Sequence, residues 1–206
     1  MSLEAKTSFF DSIADKWDGW EDLAKVASKL AAGLDELGVG SAERVLDVGC
    51  GTGNLTRALL ARLSGAGSVI AVDISPRMIE TARRKIDDPR VSWLTNDARH
   101  LPIENGECDR VLCCAVWPHF DDRAGVAEEL GRVLKPGGKL HVWHLIPREK
   151  VNEIHAGAGE AVRGDVLPPA EETAAVLRAA GFRIQTATES DGRYLVTATK
   201  PDRQPP

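Results

Sequence analysis

Val45-Leu46-Asp47-Val48-Gly49-Cys50-Gly51-Thr52-Gly53-Asn54-Leu55-Thr56 carries an apolar run through an acidic residue into a loop with glycine at every second position. The order reads as a strand, a glycine loop and a helix start. Glycine admits positive φ and lets a ligand approach where a Cβ would collide. A strand, loop and helix joined in this way point to a bound nucleoside. The spacing sets the loop apart from a dinucleotide fingerprint, which needs a small residue three positions after its second glycine for close helix packing. That position holds Asn54, and Gly53 comes one residue too early. A nicotinamide-dependent oxidoreductase is disfavoured on that ground.

The 206 residues, 43% hydrophobic and 28% charged, have the apolar content for a substantial core. The expectation is a single domain over residues 1–206, with an N-terminal helical cap at about 4–38, a core at about 43–200 and a lid or substrate insert at about 147–169. A net charge of −5 gives no overall electrostatic basis for a nucleic-acid or anionic-membrane partner. No apolar run approaches the ~20 residues of a membrane span, and the N-terminus lacks the order of a signal peptide, so a cytoplasmic location is expected. Cys50, Cys108, Cys113 and Cys114 include no CxxC pair and read as buried thiols rather than a disulfide framework or zinc knuckle.

Outward from the glycine loop, helix and strand patterns alternate. Leu23, Val26, Leu30, Leu34 and Leu37 recur at helical spacing ahead of the first strand, with Gly38-Val39-Gly40 as the stop. Leu55, Leu59, Leu60 and Leu63 mark the next helix, 68–73 a strand, and Ser75-Pro76 the start of a helix carrying Met78, Ile79, Ala82 and Ile86. Further strands are expected at 91–94, 110–116 and 139–146, with a helix on Ala127, Leu130, Val133 and Leu134. Near-continuous apolar strands alternating with helices imply an α/β fold in which a parallel sheet is covered on both faces. The chain closes differently, with a helix over 171–180 and two strands, 183–188 and 193–199, joined by Ser190-Asp191-Gly192 as an antiparallel hairpin. The tail, 201–206, is expected to be disordered.

Five motifs fall in order along this scaffold: Phe9-Phe10-Asp11-Ser12-Ile13-Ala14-Asp15-Lys16-Trp17-Asp18, the 45–53 segment, Val72-Asp73-Ile74-Ser75, Asn96-Asp97-Ala98, and Arg132-Val133-Leu134-Lys135-Pro136-Gly137-Gly138. On these, nearly the whole chain resembles a class I S-adenosylmethionine-dependent methyltransferase, close to the ubiquinone/menaquinone C-methyltransferase branch that acts on small molecules. The resemblance implies a Rossmann-like, seven-stranded, mostly parallel sheet with a C-terminal antiparallel hairpin. It implies S-adenosyl-L-methionine as cofactor, a small-molecule methyl acceptor as partner, and a monomer or homodimer.

Residue chemistry supports the same placement, because ligands of open parallel sheets sit beyond the carboxyl ends of the strands, where Asp47, Asp73 and Asp97 fall. Asp73 lies about 20 residues past the glycine loop, where a carboxylate accepts both hydroxyls of a ribose. The resemblance assigns Gly49, Cys50, Gly51 and Gly53 to the amino-acid and ribose parts of the cofactor, and Asp97 with Ala98 to its adenine. Ile74 and Met78 then line the adenine face, and Ala115, in the Cys113-Cys114-Ala115-Val116-Trp117-Pro118-His119-Phe120 segment, lies beneath the methyl donor. Trp17, Trp117, His119 and His155 are the expected acceptor contacts. Trp117-Pro118 departs from the aliphatic residue and histidine that relatives often carry there, which weakens direct transfer of a quinone-type acceptor pocket.

Methyl transfer to a hydroxyl, amine or acidic carbon benefits from a neighbouring base, and His119 and His144 are the expected ones. His119, His144 and His155 also raise the alternative of a non-catalytic nucleoside- or metal-binding regulatory protein, although no two share the i, i+4 spacing of a helical metal motif and no metal ligand is assigned. Arg83-Arg84-Lys85 and Arg99-His100 read as solvated faces.

Overall fold

The computed structural model describes residues 2–190 and 192–202. Asp191 of the hairpin turn and residues 203–206 of the tail lie outside the described residues. The chain opens with helix α1 (Leu3–Ile13), a 3₁₀ turn (Trp17–Trp20) and α2 (Leu23–Glu36), then alternates β1 (Arg44–Val48), α3 (Asn54–Arg62), β2 (Ser68–Asp73), α4 (Pro76–Lys85) and β3 (Val91–Thr95). The second half runs β4 (Cys108–Cys114), α5 (Arg123–Val133), β5 (Leu134–His144), α6 (Arg148–Gly157), α7 (Glu160–Arg163), α8 (Ala170–Ala179), β6 (Arg183–Ser190) and β7 (Arg193–Thr199).

These strands form one seven-stranded sheet in the order β3-β2-β1-β4-β5-β7-β6. The first five are parallel, and β7 runs antiparallel to both β5 and β6. The expected fold class therefore holds in both its parallel body and its closing hairpin. Period-two alternation sends Leu46, Val48, Ile70, Val72, Val111 and Cys113 into a core under α5 and α8. Val45, Val69, Ala71 and Leu112 face the opposite core, under α2, α3 and α4. Both faces are dry, which is why the strands read as continuous apolar runs rather than alternating ones.

Helix entries follow local chemistry. Ser75 caps α4 by accepting from the Met78 amide at 3.0 Å, with Pro76 behind it, and Asp122 caps α5 by accepting from Gly125. Several strand boundaries depart from expectation, and two have a clear local cause. β5 begins at Leu134 rather than residue 139, because Leu134 pairs with Cys108 and the Gly137 amide donates to the Lys200 carbonyl at 2.9 Å, drawing the Pro-Gly-Gly turn into the sheet. β4 stops at Cys114 rather than residue 116, because Ala115 takes φ 58° and starts a tight 3₁₀ turn, Trp117–His119. An alanine in this left-handed region costs ~1 kcal/mol or more and turns the chain sharply over the end of β1. No described helix is long and apolar enough to cross a membrane.

Candidate active site

The loops after β1, β2, β3 and β4 surround a cavity of about 230 Å³ at the carboxyl edge of the sheet, where strand order reverses between β2 and β4 on either side of β1. Gly49 and Gly51 form its floor, with φ +68° and +51°. A Cβ on Gly49 would meet Val116 Cγ2 at 2.3 Å, so glycine is what lets the β4 loop close over the β1 loop. A Cβ on Gly51 would meet nothing within 4 Å, leaving open space beside its backbone for a ligand.

Asp73, Ile74, Met78, Asp97, Ala98 and Ala115 also line this cavity. The Asp73 carboxylate is fixed by two backbone donors, the Gly51 amide to Oδ2 at 2.8 Å and the Ser75 amide to Oδ1 at 2.9 Å. Burial, with the neighbouring charge of Asp11, raises its pKa above the usual carboxylate value. Asp97 is held by Arg99, whose Nε donates to Oδ2 at 2.9 Å and whose amide donates to Oδ1 at 3.0 Å.

Three residues expected to contact the cofactor stand behind the wall. Asp47 is 1% exposed and accepts from Thr56 Oγ1 at 2.6 Å. Cys50 packs into the core with Leu55 and Leu59. Gly53, at φ +85°, lets α3 start against Ile86, whose Cδ1 lies 2.9 Å from where its Cβ would stand. The first two are displaced because strand alternation turns Asp47 toward α3, and the loop turns the Cys50 side chain inward.

Asp47 yields a stability prediction. Burial pushes its carboxyl from 3.8 to about 7, assisted by the charge of Asp73. A folded-state pKa above the unfolded one means that the unfolded chain ionises first as pH rises, so this group withdraws stability between about pH 4 and 7 and no further above that. Asp47→Asn removes the ionisation, and the variant should gain stability over wild type as pH rises through that window, by at most ~4 kcal/mol at pH 8. Urea denaturation at pH 4.5 and pH 8 measures the difference. Equal gaps at both values would show that Asp47 is not buried as an acid.

The far side of the cavity is aromatic, with Phe10 of α1, Trp17 and Phe120, and it carries His119. Carboxylates of the N-terminal segment tie this roof down. Asp11 accepts from Ser75 Oγ at 2.6 Å, Asp15 pairs with Arg77 and Arg84, and Asp18 accepts from Thr52 Oγ1 at 2.6 Å and pairs with Lys85 at 2.5 Å. Arg84 and Lys85 thus anchor the cap.

His119 Nδ1 lies 2.7 Å from Asp165 Oδ2. Burial opposes ionisation of Asp165, but hydrogen bonds from His119 and Lys6 outweigh it and hold the carboxyl below its usual value. An ionised carboxylate only accepts, so the hydrogen-bond network places the His119 proton on Nδ1 and leaves the Nε2 lone pair free. Burial, joined by the charges of His155 and Lys6, lowers the His119 pKa against the opposing pull of Asp165, so the ring is neutral at pH 7.

The remaining expected contacts stand elsewhere. Trp117 is 0% exposed and packs edge-on against Phe120 in the core rather than lining the cavity, because the turn after Ala115 swings it inward. His144 is 2% exposed, beside Tyr194, its cross-strand partner on β7, and burial drives its pKa to about 3. It does not line the cavity. His155 lies behind His119, with ring centroids 4.8 Å apart, and its Nδ1 donates to the Asp165 carbonyl at 2.6 Å. Among the described residues, no group of three or more His, Cys, Asp or Glu side chains is arranged to hold a metal ion.

Sequence reasoning missed Lys6 and Asp165. Lys6 is 1% exposed and its Nζ donates to the His119 carbonyl at 2.7 Å and to Asp121 at 2.8 Å, and meets Asp165 Oδ1 at 2.9 Å. Its signal was a lysine sharing the helical stripe of Phe10 and Ile13. Asp165 had a weaker one, an acid beside Val166-Leu167 in the long 147–169 connection.

Comparison with known proteins finds methyltransferases. The profile of a family described as "Methyltransferase domain" matches residues 45–138, from β1 into β5. Methyltransferase GfsG of Streptomyces halstedii is 34% identical over 139 residues, covering 65% of this chain and 49% of that one. A demethylmenaquinone methyltransferase of Staphylococcus saprophyticus is 37% identical over 108 residues, covering 52% and 46%. The chain thus spans about half the length of these curated relatives. Among solved structures, a Haloferax volcanii putative methyltransferase in complex with the Trm112 methyltransferase activator superposes with a TM-score of 0.80 at 24% identity, covering 95% of this chain and 97% of that one. At that identity the likeness speaks for the fold.

Proposed function

We propose that this chain is a class I S-adenosylmethionine-dependent methyltransferase that methylates a small-molecule acceptor bearing a removable proton, with His119 as the base. The observation that carries the proposal is one cavity with the fixed Asp73 carboxylate and open Gly51 backbone on one side and a neutral His119 on the other. The residues present fit the cofactor. Asp73 offers acceptor oxygens for a ribose, the open space at Gly51 admits a ligand against the backbone, and Ile74 and Met78 supply an apolar face.

When bound, S-adenosylmethionine supplies a methyl group on an electrophilic sulfonium. The chain's own residues then align the acceptor, exclude water and take a proton. Phe10, Trp17 and Phe120 present an apolar, aromatic wall suited to a small organic acceptor rather than to a phosphate backbone. His119 Nε2 receives the acceptor proton, and the imidazolium so formed is stabilised through Nδ1–H by Asp165. Between the two histidines offered by the sequence, this geometry favours His119.

Calorimetric titration with S-adenosylhomocysteine tests the donor half of the proposal. Stoichiometric binding is expected, and its absence would remove the proposal.

A further inference from the structure

Resting on His119 as the base, we infer that Asp165 and Lys6 form a positioning pair that sets the His119 tautomer, so that the base is complete only when α1 is docked. Three segments remote in sequence meet here. Asp165 comes from the connection between α7 and α8, His119 from the loop after β4, and Lys6 from the N-terminal helix. Asp165 divides its oxygens, with Oδ2 to His119 Nδ1 at 2.7 Å and Oδ1 to Lys6 Nζ at 2.9 Å. Lys6 spends its other two protons on the His119 carbonyl and Asp121 Oδ1. All three of its donors are therefore used, and each bond joins α1 to the two segments that make the base.

A buried lysine is costly without such partners, so Lys6 stays only where both segments are in place. In turn, the lysine charge keeps Asp165 an acceptor, and an acceptor at Nδ1 obliges the single proton of neutral His119 to sit there. The Nε2 lone pair then remains for the acceptor. The same helix lines the cavity with Leu3 and Phe10, so the element that encloses the acceptor also completes its base. Among the described residues, other charged and titratable groups near His119 are Asp121, on Lys6, Arg123, which donates to the Pro118 carbonyl, His155 of α6 and His144 of β5.

The proton transfer balances simply. With the methyl donor bound, the acceptor X–H bond would give its proton to His119 Nε2, the freed electron pair of X would form the X–CH3 bond, and the pair of the former S–CH3 bond would stay on sulfur.

Nitrogen-15 NMR of histidine-labelled protein reads the tautomer directly, with the His119 signals identified by their loss in His119→Gln. In wild type the Nδ1-protonated form should dominate. In Asp165→Asn that form should lose its majority and the ring should titrate at lower pH. In Lys6→Met the titration should move to higher pH, because a cation has been removed from beside the ring, whereas Lys6→Arg should stay close to wild type. An unchanged tautomer in Asp165→Asn, or no upward movement in Lys6→Met, overturns the inference. Circular dichroism establishes that each variant is folded. If Asp165→Asn is not, the Lys6→Met and Lys6→Arg comparison decides the matter alone. The two readings fail separately. Unchanged methyl transfer in His119→Gln removes the base while the NMR result stands, and an undisturbed tautomer in Asp165→Asn removes the positioning pair while the base stands.

Discussion

Replacing Asp73 with alanine is expected to weaken S-adenosylhomocysteine binding by roughly 100-fold, about 3 kcal/mol. The carboxylate is pre-set by the Gly51 and Ser75 amides, at 2.8 and 2.9 Å, so neither oxygen has to be ordered when a ligand arrives. Each charge-assisted hydrogen bond to a ribose hydroxyl contributes about 1.5–3 kcal/mol. Alanine removes these bonds and leaves two amides without their acceptor, which loosens the glycine loop as well. Calorimetry measures the affinity, and Asp73→Asn, which keeps one acceptor oxygen, should fall between alanine and wild type. Equal affinity in wild type and Asp73→Ala would mean that the ribose lies elsewhere.

His119→Gln should lower kcat by roughly 100- to 1000-fold with little change in KM, because glutamine fills similar space but takes no proton. The pH profile carries the sharper signature. Burial lowers the His119 pKa, so the ring is free to accept a proton at neutral pH and activity should fall only as pH drops through a value below 6.5. That acidic limb should vanish in His119→Gln. Its persistence would assign the limb to another group, and Asp97 and Asp121 would be the next to replace.

Much of the cavity lining was legible in the sequence, and the cluster behind His119 was not. Glycines and strand-end acids are constrained by backbone geometry, and backbone geometry follows from local pattern, so Gly49, Gly51, Asp73 and Ala98, read from the sequence as cofactor contacts, all line one cavity. Asp47 and Cys50 belong to the same motif and face the other way, because which side of a strand or loop a residue occupies depends on tertiary packing. Trp117 misled for a related reason. The left-handed Ala115 redirects the following turn, and sequence gives almost no sign that an alanine will adopt φ 58°. The His119, Asp165 and Lys6 cluster required three distant segments to converge, and no local periodicity encodes that meeting. What survives locally is the trace of its cost, a charged residue on an apolar helical stripe.

The most direct test supplies the purified protein with S-adenosylmethionine labelled in its methyl group, together with a cell extract divided into small-molecule and macromolecular fractions. The label should pass into one or a few small molecules, and Asp73→Ala and His119→Gln should each suppress the transfer. Label found only in protein or nucleic acid, or none transferred at all, would contradict a small-molecule methyltransferase built on this cavity.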